Sequence, residues 1–124
     1  MKKQKMILGI LSGITFLVFP AIYYFCGDPH LSVLHLFYHV LSGIFLTFVF
    51  TLVYSLTSSK VSILSGMLFN IMFTTWWEII YQATTRFNHS QRYYVQWDQV
   101  LSDIIGICIA YMIWKLLSKR LSTN

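Results

Sequence analysis

Four runs of apolar residues, at about 6–25, 31–56, 61–83 and 98–117, constrain this chain more than any other feature. Each is near the ~20 residues that a helix rising ~1.5 Å per residue needs to cross ~30 Å of hydrocarbon. Together they take up most of the 124 residues and leave no room for a separate soluble module. With 56% apolar, 18% aromatic and only 10% charged residues, the chain has too few charges to coat a water-soluble domain of this size. The expected fold is all-α, a single domain over 1–124 built as an integral membrane bundle of four transmembrane helices. The first run follows MKKQK, which resembles a signal-peptide n-region. Its apolar core is longer than the ~7–15 residues of an h-region and no small-residue cleavage site follows, so it reads as a retained helix.

The net charge of +5 takes its meaning from position. Lys2, Lys3 and Lys5 precede the first run, Lys60 separates the second from the third, and Lys115, Lys119 and Arg120 end the fourth. If four helices alternate, those seven share one side, against two, Arg86 and Arg92, on the other. This positive-inside bias puts both termini in the cytoplasm of a multi-pass protein of the cell membrane. The basic balance therefore reflects topology, and nucleic acid is not an expected partner. Cys26 at a helix end and Cys108 two turns into the last run are poorly placed for a disulfide.

The acids Asp28, Glu78, Asp98 and Asp103 and the histidines His30, His35, His39 and His89 all fall on the outer side in this arrangement. Acidic residues contribute little to orientation, so topology does not require that segregation. Depth and face suggest a reason for it. His35 and His39 lie in the first turns of the second run, Glu78 near the exit of the third and Asp103 near the start of the fourth, so the four share a layer. Gly66, Asn70, Thr74, Glu78 and Gln82 recur at i+4 as one small or polar stripe, and Ser32, His35, His39 and Gly43 form another. The last run offers Gln99, Ser102, Asp103, Gly106 and Ala110, and the first a Gly9-xxx-Gly13 spacing beside Ser12 that permits close helix approach. An ionisable group aimed at lipid costs several kcal/mol, so these faces are expected to meet in one outward-facing polar pocket of His35, His39, Glu78, Gln82, Asp98 and Asp103. Tyr23, Tyr24, Phe25, Tyr81, Tyr93, Tyr94 and Trp97 read as an outer aromatic belt, Tyr54 and Trp114 as an inner one, and Trp76 or Trp77 as a wall of the polar layer. The longest connection, TTRFNHSQRYYVQW, lies over that layer as a lid or rests at the headgroups.

Several chemistries fit such a layer. His35 and His39 at i, i+4 with Glu78 and Asp103 have the donor types of a divalent metal site such as zinc, although neither Glu-xx-His nor His-Glu-xx-His is present. A hydrogen-bonded polar core that sets helix register uses the same groups. Conduction is undercut because only Thr47, Asn70 and Cys108 offer polarity toward the inner side. Catalysis would need Glu78 or Asp103 as base, or His39 as acid or base; no GxSxG or glycine-rich phosphate loop supports covalent or phosphate chemistry.

The order His39-Val-Leu-Ser-Gly43, Trp77-Glu78-xxx-Gln82, an arginine-containing loop, then Asp98, Asp103 and Gly106 resembles the VanZ-like family of small bacterial membrane proteins over roughly 34–111. Family members commonly carry Asp, then Asn four residues on, then Gly three further. Here Asp98 precedes Asp103 by five, so either Gln99 replaces the acid or the helix begins differently, and the lysine usual before the histidine is missing. The resemblance implies an envelope role, the founding member being associated with resistance to the glycopeptide teicoplanin. The leading expectation is binding of an amphiphilic envelope molecule, a glycopeptide antibiotic or a lipid-linked precursor, with a contribution to envelope stress or antibiotic resistance. The alternatives are a metal-dependent membrane enzyme acting on a lipid-linked substrate and a non-catalytic accessory or immunity subunit of a membrane complex.

Overall fold

The computed structural model describes residues 2–26, 34–58, 60–81 and 95–122. Their regular structure is entirely helical: α1 (Lys2–Cys26), α2 (Leu34–Thr57), α3 (Ile63–Thr74) running on into a π-helical segment (Thr75–Tyr81), and α4 (Trp97–Ser122). Four stretches, Lys2–Ile22, Leu34–Thr57, Ile63–Tyr81 and Trp97–Arg120, are long and apolar enough to cross a bilayer. These are the four runs expected from hydropathy. Ser62 starts α3 as its N-cap, its side chain accepting the Ser65 backbone N–H at 3.3 Å and so satisfying one otherwise orphaned donor.

Helix α2 is the hub and touches each of the other helices. Phe19 meets Tyr38 while Phe16 meets Phe45, so α1 runs antiparallel to α2. Asn70 bonds to Gly43 and Glu78 approaches His39, so α3 is antiparallel to it as well. His39 pairs with Asp103 and Gly43 with Gly106, which makes α4 parallel to α2. Up-down topology thus gathers the start of α2, the π segment and the start of α4 at one end. The described basic residues at the start of α1, before α3 and at the end of α4 lie at the other.

Small residues set the closest approaches. A Cβ on Gly43 would lie 3.1 Å from the Gly106 Cα and overlap the Asp103 carbonyl; one on Gly106 would lie 3.0 Å from the Gly43 Cα and overlap the Val40 carbonyl. The α2–α4 crossing therefore rests backbone on backbone. Gly66 allows α3 the same intimacy with Thr47 and Thr51. The Gly9-xxx-Gly13 spacing of α1 does not work this way: a Cβ at either position meets nothing within 4 Å, because the interior side of α1 is carried by Leu8 and Ser12 instead.

The interior is more polar than the exterior. Glycines aside, ten buried residues among those described are polar or charged and eight are apolar, while Ile14, Leu17, Leu64, Leu68, Met112 and Leu116 are each more than half exposed. Water would drive the reverse arrangement, and an apolar solvent favours this one. Toward the basic end the buried apolar residues gather, with Leu8, Ile44, Phe48, Ala110 and Trp114 in one cluster. Trp114, expected in an aromatic belt, is part of that core because its helix face also carries Gly106, Ile107 and Ala110.

Candidate functional site

Each polar group reaches the site through its position on a helix. Gly66, Asn70, Thr74 and Glu78 are all buried, as the i+4 stripe predicts. In an α-helix four residues overshoot a turn by ~40°, so three such steps would carry Glu78 ~120° away from Gly66. The last step falls in the π segment, whose turn is wider than four residues and therefore undershoots. The helix thereby keeps Glu78 on the inner face, where its side chain is only 3% exposed.

On α4 the same periodicity selects between two candidates. Gln99 precedes Asp103 by four residues and lies within ~40° of it, whereas Asp98 precedes it by five and lies ~140° away. Gln99 and Asp103 are accordingly buried, at 2% and 5% exposure, with Gly106 below them. Asp98 is exposed at the helix start, where its backbone carbonyl accepts the Ser102 hydroxyl at 2.8 Å. It belongs to the rim and Gln99 takes its place in the site. The spacing of four to Asp103 already put Gln99 on this face in the sequence, and the acidic character of Asp98 brought Asp98 into the expected pocket in its stead.

The centre of the site is the His39 ring. Its Nδ1 lies 3.3 and 3.4 Å from the two Asp103 carboxylate oxygens and 4.0 Å from Glu78 Oε1. One oxygen from each carboxylate and one ring nitrogen converge within 4.8 Å of one another. His35 does not join this cluster. One turn nearer the end of the bundle, its ring meets that of His39 edge-on with centroids 4.9 Å apart, and its Nε2 accepts from Gln99 Nε2 at 3.3 Å. Gln99 Oε1 is buried and has no hydrogen-bond partner. Gln82 lies outside the described residues, as do Ser32, His89, both loop arginines and most of the connection that carries them.

These groups open onto a pocket of about 420 Å³. Its polar lining is His35, His39, Ser42, Thr74, Glu78, Gln99 and Asp103, and its apolar lining Phe19, Tyr38, Leu46, Phe73 and Trp77. Trp77 is held in an aromatic column, stacked between Phe73 at 6.1 Å and Tyr81 at 4.9 Å. Helix α1, the least engaged with the rest of the bundle, contributes Phe19 to the lining.

Beyond the pocket a polar column continues toward the basic end. Asn70 Nδ2 donates to the Gly43 carbonyl and to Thr47 Oγ1, both at 2.9 Å. Thr47 and Thr51 each return their hydroxyl to a carbonyl four residues back at 2.7 Å, and Ser55 bonds to Leu52. Thr51 and Ser55 extend this column further than was apparent from the sequence, whereas Cys108 is exposed and takes no part. Asn70 thus ties α3 to α2, while the hydroxyls are committed to their own helix and offer no relay of free donors.

Comparison with protein-family models, with characterised proteins and with solved structures gave no match. The fold and site by themselves define a small helical bundle with an apolar exterior, a polar interior and one amphiphilic pocket at the end remote from its described basic residues.

Proposed function

We propose that this chain is an integral membrane protein of the VanZ-like type, with both termini cytoplasmic, that binds an amphiphilic envelope molecule in a pocket facing out of the cell. One observation carries the reading: a single pocket is lined both by the buried carboxylates of Glu78 and Asp103 with the His35 and His39 rings and by the aromatic rings of Phe19, Tyr38, Phe73 and Trp77. A molecule with a polar head and an apolar body satisfies both sides, and about 420 Å³ holds a headgroup with the first part of a chain rather than a whole large ligand. The apolar exterior supports membrane insertion, and the basic residues at the far end support the orientation. The register of α4 supports the family, since Gln99, Asp103 and Gly106 recur at four and three residues, the spacing expected of it. In this role the protein sequesters or presents a glycopeptide antibiotic or a lipid-linked precursor, and its expression raises tolerance to envelope stress.

The test is tryptophan fluorescence of the protein in lipid nanodiscs, titrated separately with teicoplanin and with a polyprenyl phosphate. At least one should quench saturably, with Trp77→Ala and Asp103→Asn each weakening binding and Asp98→Asn leaving it unchanged. If neither saturates, or if quenching is indifferent to Asp103, the pocket is not a receptor for such molecules.

A further inference from the structure

We propose that His39, Glu78 and Asp103 bind one divalent cation of the zinc type, with an open coordination position facing the pocket. The inference stands on side-chain geometry and does not depend on an amphiphile being the pocket's ligand.

The separations fit a bound ion. His39 Nδ1 stands 3.3 and 3.4 Å from the two oxygens of Asp103. Ligands bound to zinc at about 2.0–2.1 Å in a tetrahedron lie ~3.3–3.4 Å from each other, so the nitrogen and an Asp103 oxygen already span one edge. Glu78 Oε1, at 4.0 Å from the same nitrogen, must close by roughly 0.6 Å to complete a second edge.

The donor set also fits. One imidazole and two carboxylates suit a borderline cation, and their two negative charges balance its two positive ones in an interior where Glu78 is 3% and Asp103 5% exposed. Three protein ligands with the fourth position directed into a cavity is the arrangement of an open zinc site rather than a closed structural one. Gln99, 2% exposed, lines the same pocket and keeps a buried Oε1 with no hydrogen-bond partner, an acceptor beside the site that no described residue satisfies. The surroundings hold the His39 ring in place, with the His35 ring against it edge-on and Gln99 fixing His35 in turn.

The experiment uses full-length protein with its affinity tag removed, purified in detergent and dialysed against trace Zn2+, with metal counted by mass spectrometry. Wild type and Asp98→Asn should each hold one zinc per chain. His39→Asn, Glu78→Gln and Asp103→Asn, each checked for unchanged helix content, should lose at least about 100-fold in affinity, more than loss of an outer-sphere group costs. Mg2+, which requires octahedral oxygen coordination, should not compete. X-ray absorption at the zinc edge of wild type should show nitrogen and oxygen neighbours with one imidazole, and this measurement holds even if a variant fails to fold. The proposal is overturned if wild type holds no more zinc than Asp103→Asn, or if the spectrum lacks imidazole. Ligand quenching measured on chelator-treated protein separates this failure from failure of the receptor reading.

Discussion

Gly43→Ala tests whether the site depends on the α2–α4 crossing. The added Cβ would lie 3.1 Å from the Gly106 Cα and overlap the Asp103 carbonyl. Carbon–carbon contacts relax to ~3.5–4.0 Å, so the helices must separate by at least ~0.4–0.9 Å, and by more to clear the carbonyl. Overpacking of this kind costs ~1–3 kcal/mol, against ~0.8–1.0 kcal/mol of helix propensity gained when glycine becomes alanine. The net expectation is a loss of up to ~2 kcal/mol. The site suffers beyond that, since a shift of ~1 Å takes His39 Nδ1 from 3.3 Å to roughly 4 Å from Asp103, outside hydrogen-bond reach. Gly13→Ala is the control: its Cβ meets nothing within 4 Å, so stability should stay level or rise by up to ~1 kcal/mol. Unfolding in mixed detergent–SDS micelles, followed by circular dichroism, measures the stabilities, and zinc affinity measures the site. Equal stabilities for the two variants, with unchanged zinc affinity in Gly43→Ala, would refute the backbone-on-backbone crossing.

Asn70→Leu removes two hydrogen bonds at 2.9 Å but leaves the Gly43 carbonyl bonded to Thr47, so no acceptor is orphaned. At ~0.6 kcal/mol per interhelical bond in a bilayer, the same unfolding assay should show a loss of ~1–2 kcal/mol. Gln99→Ala should disturb the His35 ring, visible as a shifted imidazole resonance by NMR, while Asp98→Ala should leave it in place; the opposite outcome would reverse the helix register assigned here. Cysteine substituted for Lys60 should be shielded from an impermeant maleimide on intact cells, and cysteine substituted for Asp98 should react; labelling of the first alone would invert the proposed orientation.

Much of the site was readable because side chains four apart share a helix face. Gly66, Asn70, Thr74 and Glu78 formed a stripe in the sequence and line the interior in three dimensions. The same rule, applied backward from Asp103, would have preferred Gln99 to Asp98. Residue type outweighed spacing there, since a carboxylate looks more functional than an amide. The Gly9-xxx-Gly13 motif misled for a different reason: small residues permit a close approach, but whether a second helix occupies the space depends on where α2 sits.

Hydrophobicity and periodicity are local properties, so four apolar helices, their order and the polar face of each follow from the chain alone. Which faces touch does not, because contact depends on helix rotation and separation across dozens of residues. Packing at Gly43 and Gly106 brings Asp103 to His39, and the π-helical turn keeps Glu78 facing them. Docking of α1 adds Phe19 to the lining of the pocket. Small steric differences decide these arrangements, since a Cβ at Gly43 would already overlap the Asp103 carbonyl at the crossing.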